Sequence, residues 1–277
     1  MRIGLALGGG AALGWAHIGV VRALEEEGIK ADIVTGTSIG SIVGACVAAD
    51  LLNELEEIAR DVTLKEMLLM SEFGFNQGSL IGVRKIEKRL RDHFGLLTIE
   101  EMPKPFAAVA ADLYTGERVV FDAGDVVTAL RASSAVPGVL PPVATGRMLL
   151  ADGGLVDPIP VEAARDLGAD IIIAVDLQGD YGARAARQGF EAHNDKAGKA
   201  PMKTARIGVA MLLRSLSRAR LELDQPDHII SPAIGHIDVM DFRRADELIA
   251  LGRHATKLAL PEIIDDLERK GASFAAS

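Results

Sequence analysis

At 277 residues and 49% hydrophobic content, the chain can bury one large core, and nothing in its composition suggests disorder or a fibrous repeat. Aromatics are scarce at 4% while small aliphatic residues dominate, which suits buried parallel strands covered by closely packed helices. The formal charge of −9 argues against nucleic acid as the main partner, because a phosphate footprint needs a clustered basic face, and leaves neutral or lipidic substrates open.

Residues 2–7, RIGLAL, read as a first strand and 8–14 as a glycine-rich loop. A helix follows over 15–27, with Ile18, Val21 and Leu24 on one face and Gly28 as its stop. DIVT is a second strand, which GTSIG at 36–40 turns into the small-residue helix SIVGACVAAD. This β-loop-α-β-turn-α opening predicts an α/β fold built on an open parallel sheet. A further helix is expected near Asn53, with Glu56 as its capping-box partner, and 70–82 as a glycine-punctuated loop before a helix over 83–94. PFAAVAADL reads as a buried strand and YTGERVVFD as its hairpin partner, turning at Thr115-Gly116. Asp125 is placed to cap a helix over 125–135, which Pro137 must end.

MLL is a strand leading into ADGG; 160–167 is a helix and DIIIAVDL another buried strand. The polar stretch 179–202 reads as a mobile connector. Beyond it come a helix over 203–223, the short strand DHIISP, and two helices near 241–258 and 262–270, a mainly helical extension of one domain spanning 1–277.

The single cysteine, Cys46, rules out an internal disulfide and reads as a small buried hydrophobe, and no Cys/His spacing resembles a zinc site. MRIGLALGGG ends in glycines rather than a cleavage site, and no run of about 18 apolar residues occurs. The expectation is a cytoplasmic chain, with peripheral membrane contact open.

GTSIG fits either a nucleophilic serine on a strained turn or a hydroxyl in a tight loop. GGGAALG follows a strand and opens a helix, as a dinucleotide loop does. It lacks the G-x-G-x-x-G spacing, since Leu13 stands where the third glycine belongs, and Asp32 begins the second strand instead of ending it. The loop is better suited to presenting backbone N–H groups to a carbonyl oxygen that becomes negative when Ser38 attacks. A serine needs a base. Of the six histidines only His236, in the loop AIGHID, is placed for that role, whereas Asp152 stands at the carboxyl end of a strand, where Asp-Gly is also an ordinary hairpin turn.

Taken in order, GGGAALGWAHIGV, GTSIG, ASSAVPGVLPP and DGGLVDPIPV resemble the patatin-like phospholipases, a family similar to the catalytic part of cytosolic phospholipase A2. The likeness extends from residue 2 to about 177 and resumes in the tail at DHIISP and DFRRADELIALG. It implies a three-layer α/β/α fold with a mostly parallel central sheet, and acyl-ester hydrolysis by a Ser-Asp dyad without metal or cofactor. By position, Ser38 is the nucleophile and Asp152 displaces His236 as the general base. Gly8, Gly9, Gly10 and Ala11 line the oxyanion loop, Ser133, Ser134 and Pro137 shape the wall of the site, and His17 is a structural member of its helix. The implied partner is a lipid or small acyl-ester substrate.

Two departures stand out. The family usually carries Arg or Lys just before the last glycine of the loop, where this chain has Leu13, and Asp157 stands where many relatives have asparagine. Leucine cannot help the oxyanion donors through charge, which keeps a second expectation alive: a weakly active or inactive adaptor or lipid-binding regulator on the same fold. The helix KTARIGVAMLLRSLSRAR carries five basic residues and no acids among Ile207, Met211, Leu212 and Leu216, so it is expected either to lie on an anionic membrane or to pack on the core with a solvated basic face.

Overall fold

The computed structural model describes residues 1–61, 80–190 and 201–271. Its first half runs β1 (Ile3–Leu7), α1 (Trp15–Glu26), β2 (Ile33–Thr37), α2 (Ile39–Ala48), α3 (Leu52–Asp61), α4 (Leu80–Phe94), β3 (Phe106–Asp112), β4 (Arg118–Phe121) and α5 (Val126–Ser133). The rest is β5 (Val143–Thr145), β6 (Met148–Asp152), α6 (Val161–Asp166), β7 (Ile171–Val175), α7 (Tyr181–Arg187), α8 (Pro201–Asp224), β8 (His228–Ile230) and α9 (Ala245–Arg269).

Strand side chains alternate between two faces, and burial follows that alternation. Leu5, Leu7, Ile171, Ile173 and Val175 join the large core shared with α1, α2, α3 and α9, whereas Ala6, Ile172 and Ala174 meet α6 and Leu221 of α8 on the other face. The result is the expected α/β/α sandwich. Its sheet runs β5-β6-β3-β2-β1-β7-β8, with β4 also on β3. β3, β2, β1, β7 and β8 are parallel neighbours in turn; β4 and β6 run antiparallel to β3, and β5 antiparallel to β6.

The register on β3 positions the site. β2 and β4 both pair with Ala108 and Val109 of β3, so they occupy its two edges. β6 shares Ala110 and Ala111 with β4, which puts β6 on the same edge as β2. Thr37 pairs with Val109 and Asp152 with Ala110, the next residue, so the carboxyl ends of β2 and β6 meet head-on.

Several local expectations are corrected. α3 starts at Leu52, so Asn53 lies inside its first turn; Asn53 and Glu56 take hydrogen bonds from Arg22 of α1 instead of forming a capping box. Residues 80–82 belong to α4, and the rest of the expected 70–82 loop lies outside the described residues. α5 ends at Ser133, before the expected 135, although Asp125 caps it as expected, accepting from Thr128 N at 2.8 Å. Within 179–202, α7 is ordered around the buried Arg184, α8 already begins at Pro201, and 191–200 lie outside the described residues. The two tail helices are one, α9, which continues through Pro261 because Leu260, Ile263 and Leu267 on either side of it are buried. Burial there outweighs the backbone hydrogen bond that proline forfeits.

Candidate active site

β2 ends at Thr37 and α2 begins at Ile39, so Ser38 alone makes the strand-to-helix turn. Its φ of 57° and ψ of −126° are costly for a residue with a side chain, on the order of 1–3 kcal/mol, and persist only where neighbours over-determine them. Those neighbours are specific. Ser38 N donates to Ser133 Oγ at 2.9 Å, Ser41 Oγ donates to Ser38 O at 2.6 Å, and Thr37 Oγ1 donates to the Asp157 carbonyl at 2.8 Å. Gly40 lies against the Leu7 and Gly8 carbonyls, so close that a Cβ on it would collide with both.

The head-on meeting of β2 and β6 brings Ser38 Oγ to Asp152 Oδ2 at 2.5 Å, with the hydroxyl donating. Asp152 Oδ1 accepts from Gly154 N at 2.8 Å, and Asp152 N donates to Ala135 O at 2.9 Å, which fixes the carboxylate in rotation and depth. Burial lifts its pKa from 3.8 to about 6, against the Ser38 and Gly154 hydrogen bonds that lower it. Such a carboxylate is a stronger base than an exposed one and is still ionised at neutral pH.

The glycine loop folds over this pair. A Cβ built on Gly9 would lie 3.4 Å from the Ser38 Cβ, ordinary contact distance. Not all of the loop's donors are free: Gly8 N donates to Val175 O at 3.1 Å and Gly9 N to Pro158 O at 3.0 Å, which anchors the loop to β7 and to the segment after β6. The N–H groups of Gly10 and Ala11 have no acceptor among the described residues. Leu13 is fully buried in the main core, so it holds the loop by packing and brings no charge to it.

Of the expected wall residues, Ser133 touches the pair through the Ser38 N–H. Ser134 Oγ is buried without a hydrogen-bond partner, and Pro137 is exposed beyond the end of α5. His17 is fully buried in α1, where Nε2 donates to Gly8 O at 2.8 Å and burial holds its pKa down at about 4. His236 lies on the surface, paired with Glu247 of α9 at 3.0 Å. Among the described residues, no group of His, Cys, Asp and Glu could hold a metal ion.

Sequence reasoning missed the supports. Asp157 is fully buried; its N–H donates to Gly153 O at 2.8 Å and its carbonyl receives Thr37, so it ties the Ser38 strand to the Asp152 loop. Its carboxylate faces Arg118 of β4 at 3.1 Å and Arg220 of α8 at 3.7 Å, and burial raises its pKa to about 6 despite those cations. Gln178, just after β7, donates through Nε2 to Gly9 O at 3.0 Å. The only trace of these contacts in the sequence was an aspartate where asparagine was expected.

The family model for patatin-like phospholipase matches residues 5–165, more than half of the chain and a span that holds the glycine loop, the elbow and the carboxylate. The chain belongs to the patatin-like phospholipase family. An uncharacterized NTE family protein of Mycobacterium bovis is 40% identical over 178 residues, 64% of this chain and 49% of that protein. A second from the same organism is 30% identical over 275 residues, 93% of this chain and 46% of that protein. Lysophospholipase nte1 of Aspergillus fumigatus is 33% identical over 190 residues, 63% of this chain and 12% of that protein. This patatin-like chain therefore spans half the length or less of these curated relatives. The structure of VipD from Legionella pneumophila shares the fold, with a TM-score of 0.51 at 17% identity over 94% of this chain and 67% of that one.

Proposed function

We propose that this patatin-like chain hydrolyses acyl esters of lipids, with Ser38 as nucleophile, Asp152 as general base, and Gly10 and Ala11 as oxyanion donors. The observation that carries the reading is the 2.5 Å hydrogen bond from Ser38 Oγ, on a strained one-residue turn, to a buried carboxylate. Asp152 takes the Ser38 proton as Oγ attacks the ester carbonyl, and the Gly10 and Ala11 N–H groups hold the oxyanion. The proton passes from Asp152 to the leaving alcohol. Asp152 then activates a water to release the acyl group, and Ser38 regains its proton. The name of the fungal relative, lysophospholipase, favours glycerophospholipid esters as the substrate class.

The base must be ionised to act, so kcat/KM is expected to rise about tenfold per pH unit up to pH about 6 and to level off above it. A pH profile on a soluble ester, run alongside His236→Ala, checks this. A limb that moves or vanishes in His236→Ala would return the role of base to the histidine.

The buried Leu13 favours the second reading, a lipid-binding regulator with little turnover, because no side-chain cation joins the loop at that position. Both readings involve a lipid surface, and α8 has a face that suits one. Met202, Ala205, Val209, Leu212 and Leu216 recur at helical spacing, with Met202, Val209 and Leu212 at 64%, 57% and 71% exposure. Ile207, expected on that face, is buried instead, and Arg214 and Arg220 are engaged with Gly179 O and Asp157. Arg206 reaches Asp238 at 3.5 Å, and the exposed Lys203 lies at the apolar end, where it complements anionic headgroups. Val209→Ser/Leu212→Ser is expected to reduce co-sedimentation with phosphatidylglycerol vesicles several-fold; unchanged co-sedimentation would end the membrane reading.

A further inference from the structure

The oxyanion reading above leaves one chemical question open: what supplies positive charge to a glycine loop that carries Leu13. The segment after β7 contains a buried cation. Arg184 of α7 is 4% exposed; its Nη1 donates to Gln178 Oε1 at 2.5 Å and its Nη2 to Leu177 O at 3.0 Å. Gln178, 6% exposed, is held in turn by its own N–H on Asp176 Oδ1 at 2.8 Å, and its Nε2 donates to Gly9 O at 3.0 Å. The chain of donors runs one way, from guanidinium to amide to peptide.

Gly9 O and the Gly10 N–H belong to one planar peptide and point in opposite directions. A donor that captures the carbonyl therefore sets the direction of the N–H, and hydrogen bonds in series polarise one another, most strongly when the first donor is charged and the site is dry. We propose that Gln178 and Arg184 are positioning residues for the oxyanion hole. They aim the Gly10 N–H and make it a stronger donor, so that a buried arginine from α7 supplies through the backbone what Leu13 cannot supply through its side chain. The proposal rests on the oxyanion reading of Gly10.

The test uses the full chain, a short-chain soluble ester and a trifluoromethyl ketone that forms a tetrahedral adduct with the nucleophile. Gln178→Ala is expected to lower kcat by ~10–100-fold, a fraction of what loss of an oxyanion donor causes, with KM within about twofold. Gln178→Glu keeps its partner Arg184 but turns a carboxylate toward Gly9 O, so its kcat falls at least as far as that of the alanine variant. Arg184→Met lowers kcat similarly, and Arg184→Lys recovers most of it. Affinity for the ketone is expected to fall in step with kcat/KM across the four variants.

A purely structural role predicts lowered melting temperatures with kcat within about twofold of wild type in the folded fraction; that outcome, or equal kcat in Arg184→Lys and Arg184→Met, overturns the proposal. Ser38→Ala separates the two levels. If it is inactive while the Gln178 and Arg184 variants turn over normally, the relay alone is wrong; if it stays active, the oxyanion reading falls with it.

Discussion

Ser38→Ala and Asp152→Asn are each expected to reduce ester turnover on the order of 10⁴-fold or more, and to be no worse together than singly, because the two groups act as one unit. Neither loss should reflect unfolding. Ser38 holds its φ of 57° in alanine form through the same backbone contacts, among them its N–H on Ser133 Oγ. Asp152→Asn removes a carboxylate whose pKa is about 6 in the folded chain against an ordinary 3.8. Because the folded pKa is the higher one, the stability tied to this group is fully present below pH about 4 and is lost as pH rises through about 6. The asparagine variant escapes that loss and is expected to match or exceed wild-type stability at pH 8, by about 1–3 kcal/mol at most. Denaturant melts at pH 5 and pH 8, beside initial rates, check both halves. A variant that is inactive only because it is unfolded would remove the support for Asp152 as base.

The second large effect is expected at a residue that performs no chemistry. Gly40 sits one residue beyond the first position of α2, and a Cβ there would overlap the Leu7 carbonyl and come within 2.7 Å of Gly8 O. Both obstacles are backbone, so neither can rotate away. Gly40→Ala must push the elbow off the end of β1, separating Ser38 from the glycine loop. The expected cost is about 3 kcal/mol or more in stability, with turnover reduced at least 100-fold in whatever remains folded. Urea denaturation and rate measurements on the soluble fraction test this; wild-type stability with wild-type turnover would mean that the elbow is not held as described.

The elements that carry the chemistry were legible because they are local. RIGLAL, the glycine run, DIVT and GTSIG each announce their conformation through apolar runs and glycine placement, and strand-turn-helix order puts the loop and the serine at one edge of a parallel sheet. From its own residues Asp152 was legible as the end of a strand; its partnership with Ser38 came only through the family resemblance, since it depends on β6 filling the edge of β3 that β2 vacates. Of the two alternatives open at Asp152-Gly153, the hairpin turn is the one not formed: Gly153 is pressed against the Val109 carbonyl and does not close a hairpin. Gln178, Asp157 and Arg220 were illegible because their roles come from contacts across long separations, whereas Arg184 bonds its near neighbours Leu177 and Gln178 but sits in a polar, alanine-rich stretch that looks alike whether solvated or folded around one buried guanidinium. Proline at 261 misled in the opposite sense, since local propensity lost to packing.

The central claim is that Ser38, activated by Asp152, is the acyl-accepting nucleophile. The most direct measurement is reaction with a fluorophosphonate followed by intact mass and peptide mapping, on wild type, Ser38→Ala and Asp152→Asn. One adduct per wild-type chain is expected, located on Ser38, with none in Ser38→Ala and labelling at least 100-fold slower in Asp152→Asn. Equal labelling of wild type and Ser38→Ala, or an adduct mapped to another serine, would contradict it.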